Sequence, residues 1–164
     1  VQTNFIEKLR NTEVIGWATL IFGVLLYISD RYKLKKNISS NFNYKSAIFI
    51  GLFQIFSLIP GVSRSGITIT AARILKFKRF DSAKISFLLS VPTLGAVSLY
   101  GLRNMIISEN LIFSLTNLIT ILLSFLFSYI TIKYFLSFIK KFSLYVFVIY
   151  RVVLGVIILF FVYL

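Results

Sequence analysis

The sequence predicts an all-α integral membrane protein, built of transmembrane helices and one re-entrant helix–loop–helix hairpin. Of its 164 residues, 58% are hydrophobic and only 14% are charged, whereas soluble domains are about 45–50% apolar and about 25% charged. A soluble fold of this size could not bury so much apolar surface. Uncharged runs long enough to span a bilayer recur along the chain, and a proline–glycine pair interrupts one apolar stretch.

The net charge of +13 is compatible with a nucleic-acid-binding protein or with a membrane protein that has basic cytoplasmic loops. The lysines and arginines flank apolar runs and do not line one polar helix face, which favours the membrane protein and no nucleic-acid partner. The sequence lacks cysteine and histidine. Disulfides and thiolate metal sites are therefore excluded, and the usual general base is missing.

Four transmembrane spans are predicted, at approximately 14–30, 85–103, 110–133 and 142–164. Pro92 and Gly95 predict a kink in the second span, and Arg151 is the single charge in the last one. If the basic clusters lie inside, the linker at 31–45 and the link at 133–141 are cytoplasmic, and the C-terminus is outside.

A re-entrant hairpin is predicted at approximately 45–78. Its two apolar pieces, 46–63 and 67–75, are broken apart by Pro60 and Gly61. Both outer ends are basic, which places them on the same side of the membrane. Non-helical backbone at membrane depth must line a cavity or be covered by protein. Arg73 and the basic residues at 76–79 are expected to be interfacial anchors.

The turn of this hairpin combines the features of an anion site. Gly61 and Gly66 allow close approach of the backbone to a ligand, and Ser63 and Ser65 add hydroxyl groups. The second half-helix is expected to start near Ser65, so that its free N–H groups point into the loop. Arg64 adds a fixed positive charge that suits phosphate oxygens.

The alternative is that Ser63 and Ser65 are helix caps and that Arg64 reaches a lipid headgroup. A charge near the bilayer centre costs about 2.5–3.5 kcal/mol on insertion scales, and the hairpin offers Arg64 no acidic partner. The chain has five carboxylates, all outside the apolar runs: Glu7, Glu13, Asp30, Asp81 and Glu109.

Four further polar residues are candidates for the same site. Thr68 lies one turn into the second half-helix and could reach the same ligand. Gln54 and Ser57 lie on the first half-helix, as cavity residues or as polar contacts between helices. Arg151 could pair with a carboxylate absent from this chain, line the cavity or support the structure.

The strings Gly-Leu-Phe-Gln at 51–54 and Pro-Gly-Val-Ser-Arg-Ser-Gly at 60–66, followed by Thr68, resemble the second signature of the undecaprenyl-diphosphate phosphatases, also called bacitracin-resistance proteins. Ser-Phe-Leu-Leu-Ser-Val-Pro at 86–92 resembles the segment that follows it in the family, and Tyr150-Arg151 resembles the last span. The resemblance runs from about residue 5 to the C-terminus.

This resemblance implies a bacterial inner-membrane enzyme that removes one phosphate from undecaprenyl diphosphate and so recycles the lipid carrier for cell-wall synthesis. It implies two inverted repeats, each with a re-entrant hairpin, and a cavity between them that opens to the outer face; a homodimer is a further expectation. By the family pattern Arg64 binds the diphosphate and is catalytic together with Ser63, Ser65 and Thr68. The remaining residues implied in substrate binding are Pro60, Gly61, Gly66, Gln54, Ser57 and Arg151.

The family's first signature has two glutamates four residues apart and a Ser-Ser-Thr-Gly-His string, and nothing in these 164 residues matches it. We therefore expect 1–164 to be a single membrane domain, the C-terminal part of a longer protein and inactive by itself. A divalent cation, Mg²⁺ or Ca²⁺, would take its ligands from outside this chain. The alternatives are a fragment of a transporter or flippase with an anion-binding loop, a lipid phosphatase that uses paired histidines, and a structural subunit.

Overall fold

The computed structural model describes residues 11–32, 36–107 and 115–164, and within these ranges the chain is helical with one isolated parallel bridge. The 3₁₀ helix Ile55–Leu58 follows α3 directly. The α-helices are α1 (Thr12–Asp30), α2 (Ile38–Asn41), α3 (Tyr44–Gln54), α4 (Arg64–Ile74), α5 (Arg79–Ile107), α6 (Leu115–Lys141) and α7 (Tyr145–Tyr163).

Four of these helices, α1, α5, α6 and α7, are long and apolar enough to cross a membrane. The predicted all-α integral membrane protein is thereby confirmed. Helices α5 and α6 continue beyond the predicted spans at 85–103 and 110–133, because helical hydrogen bonding does not stop where lysine and arginine begin. Long basic side chains can extend from a helix end into the headgroup region. Residues 110–114 of the predicted third span lie outside the described residues.

Helices α1 and α7 pack antiparallel at close range through glycines. A Cβ atom at Gly155 would lie 3.1 Å from Cβ of Leu20 and 3.2 Å from the carbonyl oxygen of Gly16. A Cβ atom at Gly23 would lie 3.2 Å from Cβ of Arg151. Small residues let helix backbones approach where lipid supplies no hydrophobic driving force. This pairing positions Arg151 beside α1.

The hairpin consists of α3 with its 3₁₀ extension, the irregular segment 59–63 and α4. Asn43 caps α3 by accepting a hydrogen bond from the backbone N–H of Ser46 at 2.9 Å. The rings of Phe42 and Phe77, which lie just outside the two ends of the hairpin, are 6.1 Å apart. Both outer ends therefore meet, as the predicted re-entrant hairpin requires.

An ion cluster at the base of the hairpin joins α4 to α1 and α5. The guanidinium of Arg73 is fully buried; its Nη2 lies 2.9 Å from Oδ1 of Asp30 and donates to the Asp30 carbonyl at 2.6 Å. Arg79 donates to both carboxylate oxygens of Asp30 at 2.9 Å. Burial lowers the pKa of Arg73 from its ordinary value, and the charge of Asp30 opposes that shift.

The prediction that Arg73 is an interfacial anchor is wrong. Its side chain has no exposed surface, and Asp30, at the end of α1, supplies the carboxylate that makes burial of the charge possible. Counting charges along the sequence places Asp30 outside an apolar run but does not show which cation it meets.

The C-terminus of α4 closes in a Schellman motif, although its left-handed residue is not glycine. Lys76 has φ 72°, Phe77 N–H donates to the Ala72 carbonyl at 3.1 Å, and Lys76 N–H donates to the Arg73 carbonyl at 2.8 Å. Lys36 pairs with this turn through two backbone hydrogen bonds. Its N–H donates to the Lys76 carbonyl, and the Lys78 N–H donates to the Lys36 carbonyl. The linker before the hairpin is thus tied to the hairpin's end.

We predict that Asp30→Asn lowers the free energy of unfolding by about 3 kcal/mol, because it leaves the buried charge of Arg73 uncompensated. The measurement is the unfolding midpoint in detergent. Lys84→Gln, a charge removal at an exposed position of α5, should change stability by less than about 0.5 kcal/mol.

Combining Asp30→Asn with Arg73→Met should recover part of the loss, because the buried cation is then gone. Wild-type stability in Asp30→Asn alone would show that the cluster does not hold the hairpin.

Candidate anion site

The hairpin loop presents the N-terminus of α4. Ser63 is its N-cap, and the Ser63 Oγ accepts a hydrogen bond from the Gly66 N–H at 3.2 Å. The Oγ atoms of Ser63 and Ser65 lie 3.3 Å apart. The backbone N–H groups of Arg64 and Ser65 have no acceptor among the described residues. The helix therefore starts at Arg64, one residue earlier than expected, and two of its first N–H groups are free for an anion.

The loop lies directly against the backbone of α1. Gly61 has φ +91°, and a Cβ atom there would come within 2.5 Å of the Ile15 carbonyl oxygen. Thr19 donates to the same Ile15 carbonyl at 2.7 Å and to the Gly61 carbonyl at 3.3 Å. Sequence reasoning missed Thr19, whose only signal is a hydroxyl within an apolar run.

Arg151 of α7 binds the same Gly61 carbonyl as Thr19. It is 8% exposed, and its Nη2 donates to the Gly61 carbonyl at 3.2 Å. Its Nη1 is buried and has no hydrogen-bond partner among the described residues. That nitrogen lies 2.9 Å from the position of a Cβ atom on Gly66. The absence of a side chain on Gly66 therefore leaves room for the guanidinium, and no carboxylate of the described chain pairs with it.

A cavity of about 540 Å³ lies between α1, α4, α6 and α7. Its polar lining consists of Thr19, Gly61, Ser63, Ser65, Gly66 and Arg151. Apolar side chains lie on both sides of Arg151 along α7, with Leu144 and Phe147 before it and Leu154 and Ile158 after it. No carboxylate belongs to the lining formed by the described residues, so the polar part carries a net positive charge.

Arg64 is not among the residues that line this cavity. It is half-buried, and its guanidinium makes no hydrogen bond or ion pair with the described residues. Pro60 and Ser57 are likewise half-buried and outside the lining. Since successive helical residues point about 100° apart, Ser65 and Gly66 can face the cavity while Arg64 does not.

Thr68 and Gln54 connect the hairpin to α5 and do not line the cavity. Thr68 is 1% exposed, donates to the Arg64 carbonyl at 2.9 Å and lies 2.6 Å from the Oγ of Ser86. The Nε2 of Gln54 donates to the Oγ1 of Thr93 at 3.1 Å. Both contacts join the hairpin to α5.

The donors around the cavity do not suit a divalent cation. Such ions prefer several carboxylate or carbonyl oxygens, whereas here the described lining offers hydroxyls beside the positive charge of Arg151. No group of three acidic or other metal-binding side chains occurs among the described residues. The expectation that the ligands of Mg²⁺ or Ca²⁺ lie outside this chain stays a prediction.

Residues 1–157 match the family model of the bacitracin resistance protein BacA. The chain belongs to this family. Three similar BacA-family proteins are each named undecaprenyl-diphosphatase. They come from Pelagibacter ubique (54% identical over 98% of this chain), Teredinibacter turnerae (44% over 90%) and Alcanivorax borkumensis (39% over 96%). The matched regions are 61%, 56% and 60% of these relatives' lengths, so this BacA-family chain spans about three fifths of them.

In this BacA-family chain, we predict that Gly61→Ala lowers the free energy of unfolding by about 2 kcal/mol, because the residue has a positive φ and a methyl group would meet the Ile15 carbonyl. Gly51→Ala is the matched control. A Cβ atom there meets nothing within 4 Å inside α3, so the change should stabilise by about 0.5–1 kcal/mol. Unfolding midpoints in detergent measure both; equal effects of the two changes would contradict the close contact at Gly61.

Proposed function

We propose that this chain supplies part of the active site of an enzyme that hydrolyses undecaprenyl diphosphate to undecaprenyl phosphate and phosphate. One observation carries the proposal: Arg151 and the N-terminus of α4 line the same cavity. The Nη1 of Arg151 has no hydrogen-bond partner among the described residues. The names of the three relatives support the substrate. The product would return the lipid carrier to cell-wall synthesis.

The electrostatics of the cavity favour an anionic ligand. A buried cation in surroundings of low dielectric is costly unless it is paired. Asp30, the acidic side chain of the ion cluster, already binds Arg73 and Arg79. A phosphate group in the polar part of the cavity would offer acceptors to the guanidinium of Arg151 and to the free N–H group of Ser65.

The reaction requires stabilisation of charge on phosphoryl oxygens. The oxygen of a nucleophile attacks the terminal phosphorus, the bond from that phosphorus to the bridging oxygen breaks, and lipid monophosphate leaves. Arg151 and the α4 N–H groups stabilise the developing charge, and the hydroxyls of Ser63 and Ser65 bind phosphate oxygens. We assign Arg64 to the diphosphate at the edge of the loop and Thr68 to positioning of the loop.

The described residues around the cavity include no carboxylate or histidine that could serve as a general base. For this reason we propose that the chain by itself does not turn over substrate, and that the base and any Mg²⁺ or Ca²⁺ ligands come from the other half of an inverted-repeat fold. We further propose a location in the bacterial inner membrane, with the cavity open to the outer face and the C-terminus outside. Self-association as a homodimer is part of the same proposal.

A lipid flippase or anion transporter is the second candidate. The observation in its favour is the helix break at 59–63 within a hairpin, because half-helices that meet at membrane depth also build transporter sites. Release of phosphate by the full-length gene product distinguishes the two functions.

We predict that Arg64→Ala in the full-length gene product lowers kcat/KM for undecaprenyl diphosphate about a hundredfold, because a cation next to the reacting phosphate is lost. Lys78→Ala, at an exposed position near the hairpin base, should leave activity unchanged. The assay measures released phosphate from lipid in detergent micelles. Unchanged phosphate release in Arg64→Ala together with loss of lipid flipping would support the flippase; equal losses in both variants would point to net basicity alone.

We predict that Arg151→Lys raises the KM for undecaprenyl diphosphate about tenfold, because one ammonium cannot bind the Gly61 carbonyl and also present a second nitrogen to phosphate. Arg103→Lys, an exposed position near the end of α5, is the control and should leave KM unchanged. A wild-type KM in Arg151→Lys would show that Arg151 supports the fold without touching substrate.

A further inference from the structure

A second pocket, of about 540 Å³, lies at the base of the hairpin and shares no lining residue with the cavity at the loop. It is formed where α1 ends at Asp30, α5 begins at Arg79 and α7 begins at Tyr145. Asp30 lies about four helical turns along α1 from Ile15, which the loop contacts. The two pockets are therefore separate. The polar lining of the second consists of Tyr27, Asp30, Arg31, Arg79, Ser143 and Tyr145.

Positive charge exceeds negative charge in and around this pocket. Its carboxylate, Asp30, accepts hydrogen bonds from Nε and Nη2 of Arg79 at 2.9 Å and also lies 2.9 Å from the buried guanidinium of Arg73. One carboxylate thus compensates two guanidinium groups. Arg31 adds a third cation, which forms no ion pair with the carboxylates of the described residues. An anionic ligand would offset this excess.

The side chain of Arg31 is held in position by Tyr27. Its Nη2 donates to the Tyr27 hydroxyl at 2.5 Å, and its Cζ lies 4.7 Å from the centre of the same ring. The Tyr27 ring in turn lies 6.1 Å from the ring of Tyr145. Because the guanidinium is already positioned, it loses less conformational entropy when it binds an anion.

The start of α7 and the end of α6 add to this positive field. The Oγ of Ser143 accepts a hydrogen bond from the Tyr145 N–H at 3.4 Å, which leaves the Ser143 hydroxyl hydrogen free to donate. The N-terminus of a helix favours negative charge. The Nζ of Lys140 lies 4.6 Å from the centre of the Phe80 ring, and Phe80 directly follows Arg79. A further cation therefore stands beside the pocket.

We propose that this pocket binds the phosphate group of an anionic lipid headgroup. The forks of Arg31 and Arg79 match phosphate oxygens. The pocket lies at the ends of three helices that are long enough to cross a membrane, α1, α5 and α7, which is the level of the headgroups. The basic residues on this side predict that it faces the cytoplasm. Anionic lipids are concentrated in that leaflet, and basic pockets between transmembrane helices bind their headgroups.

A headgroup in this pocket would contact residues of α1, α5 and the start of α7 at once. It would therefore stabilise the folded protein according to its concentration, as any ligand does that binds the folded state alone. This binding is independent of the proposed hydrolysis of undecaprenyl diphosphate.

The test measures binding of dioleoyl phosphatidylglycerol to the full-length gene product in detergent, by native mass spectrometry and by the rise in the unfolding midpoint. Dioleoyl phosphatidylcholine, which has the same acyl chains and no net charge, is the control lipid and should bind more weakly. Arg31→Gln should weaken phosphatidylglycerol binding about tenfold, because a charge-assisted hydrogen bond to phosphate is lost.

Lys45→Gln is the matched control variant. It removes the same charge at an exposed position near the hairpin base, outside the pocket, and should change binding less than about twofold. Wild-type affinity in Arg31→Gln would overturn the proposal. Equal losses in the two variants would also overturn it, because net charge alone would then attract the lipid. Equal binding of the two lipids to the wild-type protein would exclude an anion site.

Inorganic phosphate has the same chemistry as the headgroup, and a competition experiment distinguishes the two sources. Phosphatidylglycerol should remain bound in millimolar inorganic phosphate. Displacement of the lipid, together with an equal rise in the unfolding midpoint from phosphate alone, would show a site for free phosphate and would overturn the lipid as occupant.

A labelling experiment on the wild-type protein locates the lipid without any substitution. Phosphatidylglycerol with a photoreactive diazirine in its headgroup is bound and irradiated. Labelled peptides that contain 27–31 or 143–148 support the proposal, and labelling confined to other regions overturns it.

Discussion

The site depends on a contact that only glycine permits, between the hairpin loop and the backbone of α1. At Gly61 the loop comes so close to Ile15 that no side chain fits. This approach brings the Gly61 carbonyl to Arg151 and directs the start of α4 into the same cavity. The tight packing of α1 on α7 through Gly16, Gly23 and Gly155 is equally necessary. It fixes the distance between the backbone of Arg151 and the loop.

The fold class and the hairpin could be predicted because lipid leaves strong signals in a sequence. Long uncharged runs must be spans, and a proline–glycine break in a short apolar stretch with basic ends must turn back. The helix start after the loop could likewise be predicted, since Ser63, Gly66 and the first residues of α4 are neighbours in sequence. Local chemistry of this kind needs no knowledge of distant contacts.

Contacts between distant residues could not be predicted in the same way. Arg73 looked like an anchor because its partner Asp30 lies 43 positions away along the chain. The contacts of Thr68 with Ser86 and of Arg151 with the Gly61 carbonyl likewise join residues that are far apart in the sequence. Each of these outcomes depends on the pairing of helices, which single-sequence patterns leave open. The comparison with BacA-family proteins supplied the family but not these contacts.

The hairpin is fastened at both ends, at its base by the bonds of Asp30 to Arg73 and Arg79, and at its tip by Gly61 against α1 and Arg151. A segment held in this way has little conformational entropy left to lose when a ligand arrives. Binding of the proposed phosphate ligand would therefore require little ordering of the loop. The same rigidity would make the proposed site selective, because an anion of the wrong shape could not be accommodated by moving the backbone.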